Sequence, residues 1–167
     1  MATSEKPRYT KVELVLEFIS LLALLTYLIY IVANWSSVPQ IIPDHFGWAG
    51  MPDSWDSKGM LPTMLYVTLF IYILLSVLSR FPGAINFPVP VNEDKSEAHL
   101  QLRFSLILWI KAELVLIASY IGVLGIRVAI GESEGLGHCF LPMMLVTLII
   151  TGAIFIYRAY NLKSASL

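Results

Sequence analysis

The chain has 167 residues, 57% of them hydrophobic and 14% charged, with a mean hydropathy of +0.73 and a formal net charge of -1. Soluble domains carry about 45–50% apolar and about 25% charged residues, so this composition argues against a water-exposed globule. The near-neutral charge argues against a nucleic-acid partner, and the length leaves no room for a second domain. Cys139 is the single cysteine, which excludes an internal disulfide and any thiolate cluster for zinc or iron–sulfur.

Crossing a bilayer takes roughly 20 apolar residues of helix. Stretches of that size occur at Leu14–Ala33, Met60–Ser79, Phe104–Ile126 and Cys139–Tyr157. The expected fold class is an all-α integral membrane protein, with these stretches as its transmembrane helices and residues 1–167 as one domain. The first stretch exceeds the apolar core of a signal peptide, about 7–15 residues, and no small-residue cleavage site follows it. It reads as a span. Glu13 and Glu17 lie at i and i+4 on one face at its start, and Glu13 reads as solvated or snorkelling.

The following loop, Asn34–Pro62, is rich in Pro, Gly and Trp and carries Asp44, His45, Asp53, Asp56 and Lys58. Pro39, Pro43 and Pro52 restrict the backbone, while Gly47 and Gly50 permit tight reversals. Trp35, Trp48 and Trp55 suit the membrane–water boundary. This loop is expected to be an ordered cap over the bundle, with its tryptophans partly buried. His45 should contact Asp53, Asp56 or loop backbone, and the carboxylates should meet backbone N–H groups or Lys58.

The loop after the second stretch opens with Pro82, Gly83, Pro88 and Pro90, which interrupt helix. Polar residues from Asn92 onward suit a solvated helical run into the third span, with Asn92 as its N-cap and His99 in the loop. Within that span Lys111, Ala118, Gly122, Gly125 and Ala129 share one face, where small side chains allow close helix approach. Lys111 lies at a depth where a charge costs about 2.5–3.5 kcal/mol, so a partner is expected, and Glu17 is the candidate. Glu113 points the other way, in line with Tyr120 and Arg127, toward another span or a partner subunit.

Cytoplasmic loops retain Lys and Arg. Lys6, Arg8, Lys11, Arg80, Lys95, Arg103, Arg158 and Lys163 fall on the side of the termini, whereas Lys58 and Arg127 fall opposite. Both termini are therefore expected in the cytoplasm, and the Trp-rich loop outside.

The segment "VPQIIPDHFGWAGMPDSWDSK" resembles the signature of a membrane family catalogued as domain of unknown function 1648. The likeness runs through Pro39, Ile42, Pro43, His45, Phe46, Gly50, Pro52, Asp53, Trp55, Ser57 and Lys58. The segment Asn86–Leu116 is also similar to part of some members. That domain opens the SdpI-like bacteriocin-immunity proteins, which carry further spans after it. The resemblance implies a prokaryotic cytoplasmic membrane and little chemistry.

His45, Asp53 and Asp56 offer the N and O ligands of a divalent cation, yet their spacing fits neither H-E-x-x-H nor an EF-hand loop. The structural reading is preferred, and no metal is expected. His138 stands where an axial haem or chlorophyll ligand could sit, but no second intramembrane histidine pairs with it and no C-x-x-C-H follows. It reads as a boundary residue, and no cofactor is expected. No G-x-S-x-G or other nucleophile–base arrangement is present, so an enzyme is not expected. The leading expectation is a membrane protein that binds another protein or peptide, as an accessory subunit or an immunity-like binder. A small transporter or ion-conducting homo-oligomer is the alternative, motivated by the intramembrane charges Glu17, Lys111, Glu113 and Arg127.

Overall fold

The computed structural model describes residues 7–84 and 96–164. Its order is α1 (Lys11–Asn34), β1 (Ile41–Phe46), β2 (Pro52–Ser57), α2 (Met60–Leu78), a short 3₁₀ turn at Pro82–Ala84, α3 (Ser96–Ala129) and α4 (Phe140–Ser164). All four helices are long and apolar enough to cross a membrane, as in a multi-pass membrane protein. Pro88, Pro90 and the proposed cap Asn92 lie outside the described residues.

The starts of α1, α2 and α4 have local causes. Ahead of α1, the Thr10 N–H donates to Glu13 Oε2 at 2.5 Å, half of a capping box. Glu13 is nevertheless only 3% exposed, because Ser105 on α3 donates to its other oxygen. The expectation of a solvated Glu13 was wrong: a carboxylate with both oxygens accepting can be buried against a neighbour. Pro62 and Pro142 sit in the first turns of α2 and α4, where a missing N–H costs nothing. Helix α3 begins two turns before the apolar stretch, and it includes His99, which is 2% exposed rather than in a loop.

Helix α3 is the centre of the bundle, packing against α1, α2 and α4, whereas α4 touches chiefly α3. Small residues make this possible. A Cβ at Gly122 would stand 2.2 Å from Cζ of Tyr27, so the α1 ring lies directly on the α3 backbone. Tyr27 is fully buried, and its hydroxyl donates to the Leu61 carbonyl at 3.1 Å, tying α1 to α2. Tyr27, Ile31, Val38, Ile42, Leu61 and Ile126 form one core cluster beneath the hairpin. Leu102, Phe155 and Ala159 form another between α3 and α4.

The cap is an antiparallel β-hairpin, an element the composition of its strands conceals. Its register pairs Ile41 with Ser57, Pro43 with Trp55 and Phe46 with Pro52, with irregularities on either side of His45. Both strands are edges, so proline removes no ladder bond that the sheet requires. The bulge leaves Asp44 and His45 exposed while Ile42, Pro43 and Phe46 are buried against the bundle.

The hairpin turn docks on the α3–α4 connection. Gly50 has φ +74°, and its carbonyl accepts from the Leu136 N–H at 2.7 Å. A Cβ at Gly135 would lie 2.2 Å from that same carbonyl oxygen. Backbone cannot yield as a flexible side chain can, so Gly135→Ala should loosen this joint. A loss of roughly 1–3 kcal/mol is expected, the usual cost of overpacking. Limited proteolysis should then cleave within 47–51, whereas Gly59→Ala, whose Cβ would meet only Ser57 Oγ at 3.5 Å, should leave the cleavage pattern unchanged.

Candidate functional site

Two polar constellations stand apart from the apolar bundle: the hairpin face, and a charge network between helices.

On the hairpin, His45 Nδ1 lies 2.5 Å from Asp53 Oδ1, and both side chains are exposed. Adjacent bulged positions on facing strands bring them together. Asp56 instead accepts from the Ser57 N–H at 2.5 Å, so it does not join them. Among the described residues no three His, Cys, Asp or Glu side chains converge as a metal-binding group. Among the described residues Lys58 meets no carboxylate. Its ammonium donates to the carbonyls of Trp35 and, at 3.0 Å, Val38, and it lies 4.3 Å from the Trp35 ring centroid. These bonds satisfy carbonyls left open at the C-terminus of α1 and beyond it, which explains why a cation is useful there.

Of the three tryptophans expected to be partly buried, Trp35 and Trp55 are, and Trp48 is not. Trp48 is 78% exposed, Trp55 53% and Trp35 43%. The side chains that the hairpin buries most completely are Ile42 and Phe46.

The second constellation joins three helices. Lys111, 1% exposed, donates to Glu17 Oε1 and, at 3.0 Å, to Ser76 Oγ. Tyr72 donates to Glu17 Oε2 at 3.1 Å, and the Lys111 ammonium lies 4.8 Å from the Tyr72 ring centroid. Ser76 can receive Lys111 because its own proton goes to the Tyr72 carbonyl at 2.7 Å. The Glu17–Lys111 contact between α1 and α3 is the one expected from depth and helix face. The contribution of α2 was not foreseen, since Tyr72 and Ser76 carry no charge and look like ordinary span residues. Tyr9, just ahead of α1, packs edge-on against Phe104 with ring centroids 5.0 Å apart. Burial, and then the nearby Glu17 carboxylate, push its phenol above the ordinary value.

Glu113 faces α4, where Thr151 Oγ1 donates to its Oε1. Its Oε2 is buried without a hydrogen-bond partner among the described residues. Arg127 lies far along α3 and pairs with Glu132 at 3.5 Å, both exposed. His138 and Cys139 are exposed in the turn before α4.

Residues 21–70 match the family model described as Domain of unknown function (DUF1648). The matched segment runs from mid-α1 through the hairpin to mid-α2, so Pro43, His45, Phe46, Gly50, Pro52, Asp53, Trp55 and Lys58 all lie inside it. Lys111, Glu113 and the similarity noted through Asn86–Leu116 lie beyond it. No curated protein and no solved structure matches the chain.

Proposed function

We propose that this is a non-enzymatic membrane protein whose hairpin binds another protein or peptide, as an accessory subunit of a membrane complex or an immunity-like binder. One observation carries the reading: Trp48 and Trp55 project outward from a hairpin anchored at both ends, by Lys58 to the end of α1 and by Gly50 to the α3–α4 connection. Rigid, exposed aromatic rings are the side chains that dominate binding hot spots, because little conformational freedom remains to be lost on association. Asp53 and Asp56 lie exposed beside them, which suits a partner that brings basic groups.

The test is co-purification from native membranes in mild detergent, comparing the parent chain with Trp48→Ala. A heterologous protein retained by the parent and lost from the folded variant is the expected result. A chain that purifies only with itself and gives cation flux in liposomes would overturn the reading. It would favour the alternative, a small transporter or ion-conducting homo-oligomer, to which the incompletely partnered Glu113 between α3 and α4 lends support.

The same reading places the termini in the cytoplasm of a prokaryotic cell and the hairpin outside its cytoplasmic membrane, following the Lys/Arg distribution. A cysteine introduced at exposed Ser54, in a Cys139→Ser background, should react with an impermeant maleimide added to intact cells. Labelling confined to inverted vesicles would reverse the orientation.

A further inference from the structure

Beneath the hairpin, between α2 and α3, lies a cavity of about 230 Å³. Ile42 and Phe46 of β1 roof it, Met64 and Val67 of α2 form one wall, and Ile121 and Gly125 of α3 form the other. Gly125 is buried, yet a Cβ built on it would meet nothing within 4 Å. Gly122 is occupied by the Tyr27 ring, so the two neighbouring glycines differ: one closes a helix contact and the other opens a space.

The shape and chemistry of this space restrict its occupant. Drug- and cofactor-sized pockets measure about 300–1,000 Å³, so this one suits a single slender group. Buried water needs two to four polar partners, and an apolar cavity of roughly 150 Å³ stays dry and takes up an apolar molecule. The polar members of the lining are Asp44 and Thr63, and the Thr63 hydroxyl already donates to the Gly59 carbonyl at 2.9 Å. Both residues are exposed, as is Val67 at 52%, so these three mark the mouth. Val67 lies about 10 Å of helix rise beyond Met60 at the start of α2. The opening therefore faces sideways toward the bilayer, while the hairpin covers the end of the bundle. Asp44 is the charged residue at the rim, and no Lys or Arg lines the space.

We propose that this cavity holds one acyl chain of a membrane phospholipid, entered from the bilayer between α2 and α3, with an amine-bearing headgroup beside Asp44. The chain fills the gap under the β1 roof and so supports the hairpin from below. An acyl chain is available at this mouth in any membrane, whereas a peptide side chain arriving at the outer face of the hairpin meets the roof instead.

The test uses the purified full chain in detergent with phosphatidylethanolamine carrying a diazirine in one acyl chain. Photoadducts should concentrate on Met64, Val67 and Ile121 relative to the outward residues Ile149 and Ile150 of α4. Gly125→Leu fills the space from its back wall and should lower labelling at those sites by roughly tenfold, as loss of an apolar site of this size predicts, leaving α4 unaffected. Asp44→Asn should remove the preference for phosphatidylethanolamine over phosphatidylglycerol. Should Gly125→Leu not fold, Val67→Trp narrows the mouth from the lipid side and must give the same selective loss at Met64 and Ile121. Adducts spread evenly over α2, α3 and α4, or labelling unchanged in a folded cavity-filling variant, would overturn the proposal. Neither outcome bears on protein binding at the outer face of the hairpin.

Discussion

Lys111→Met is expected to cost the protein roughly 3–5 kcal/mol, the penalty for leaving one member of a buried ion pair alone. Lys111 is 1% exposed and supplies the charged donor to the Glu17 carboxylate, beside the Tyr72 and Tyr9 hydroxyls. Removing the ammonium leaves that carboxylate among apolar helices with neutral donors only. Deleting both charges, in Glu17→Gln with Lys111→Met, should restore most of the loss, since neither desolvated charge then remains. Thermal unfolding in detergent, followed by size-exclusion profile, measures all three variants in one cycle. Simple additivity of the two single losses would mean that the pair is not coupled.

The second large effect is expected at the α1–α3 crossing. Gly122→Ala places a methyl 2.2 Å from Tyr27 Cζ, and that ring is fully buried with its hydroxyl bonded to Leu61. The ring cannot move aside without giving up that bond, so the helices must part. A loss of about 1–3 kcal/mol is expected. Gly125→Ala should have the opposite sign. Its Cβ enters open space, and alanine is favoured over glycine in a helix by about 0.8–1.0 kcal/mol. Tyr27→Leu should rescue Gly122→Ala in part by shortening the obstructing side chain. Equal effects at the two glycines would show that helix propensity, rather than the tyrosine contact, controls this crossing.

Some of this architecture follows from the order of residues alone. Helices span a bilayer because their backbone groups are satisfied internally, so length and hydropathy suffice to locate four of them. An isolated charge at depth demands a partner, and matching depth with helix face selects Glu17 for Lys111. The same reasoning marks the face of α3 that carries Gly122 as a packing surface. Other features needed the third dimension. The strands "IIPDHF" and "PDSWDS" contain proline and aspartate, which strands disfavour, and only pairing across the turn and packing of Ile42 and Phe46 make them a hairpin. Glu13 looked solvated because its second donor, Ser105, lies 92 residues away along the chain. Trp35 and Trp55 are partly covered, as side chains at a membrane–water boundary should be, whereas Trp48 is 78% exposed, the buried hairpin positions being taken by Ile42, Pro43 and Phe46. Tyr72 and Ser76 gave no sign of joining the charge pair, since a neutral hydroxyl reveals its role only through what is brought within 3.1 Å of it. Local pattern thus determined which segments cross the membrane and where charge must be answered. Which distant groups answer it, and what each glycine faces, was decided by how the helices pack.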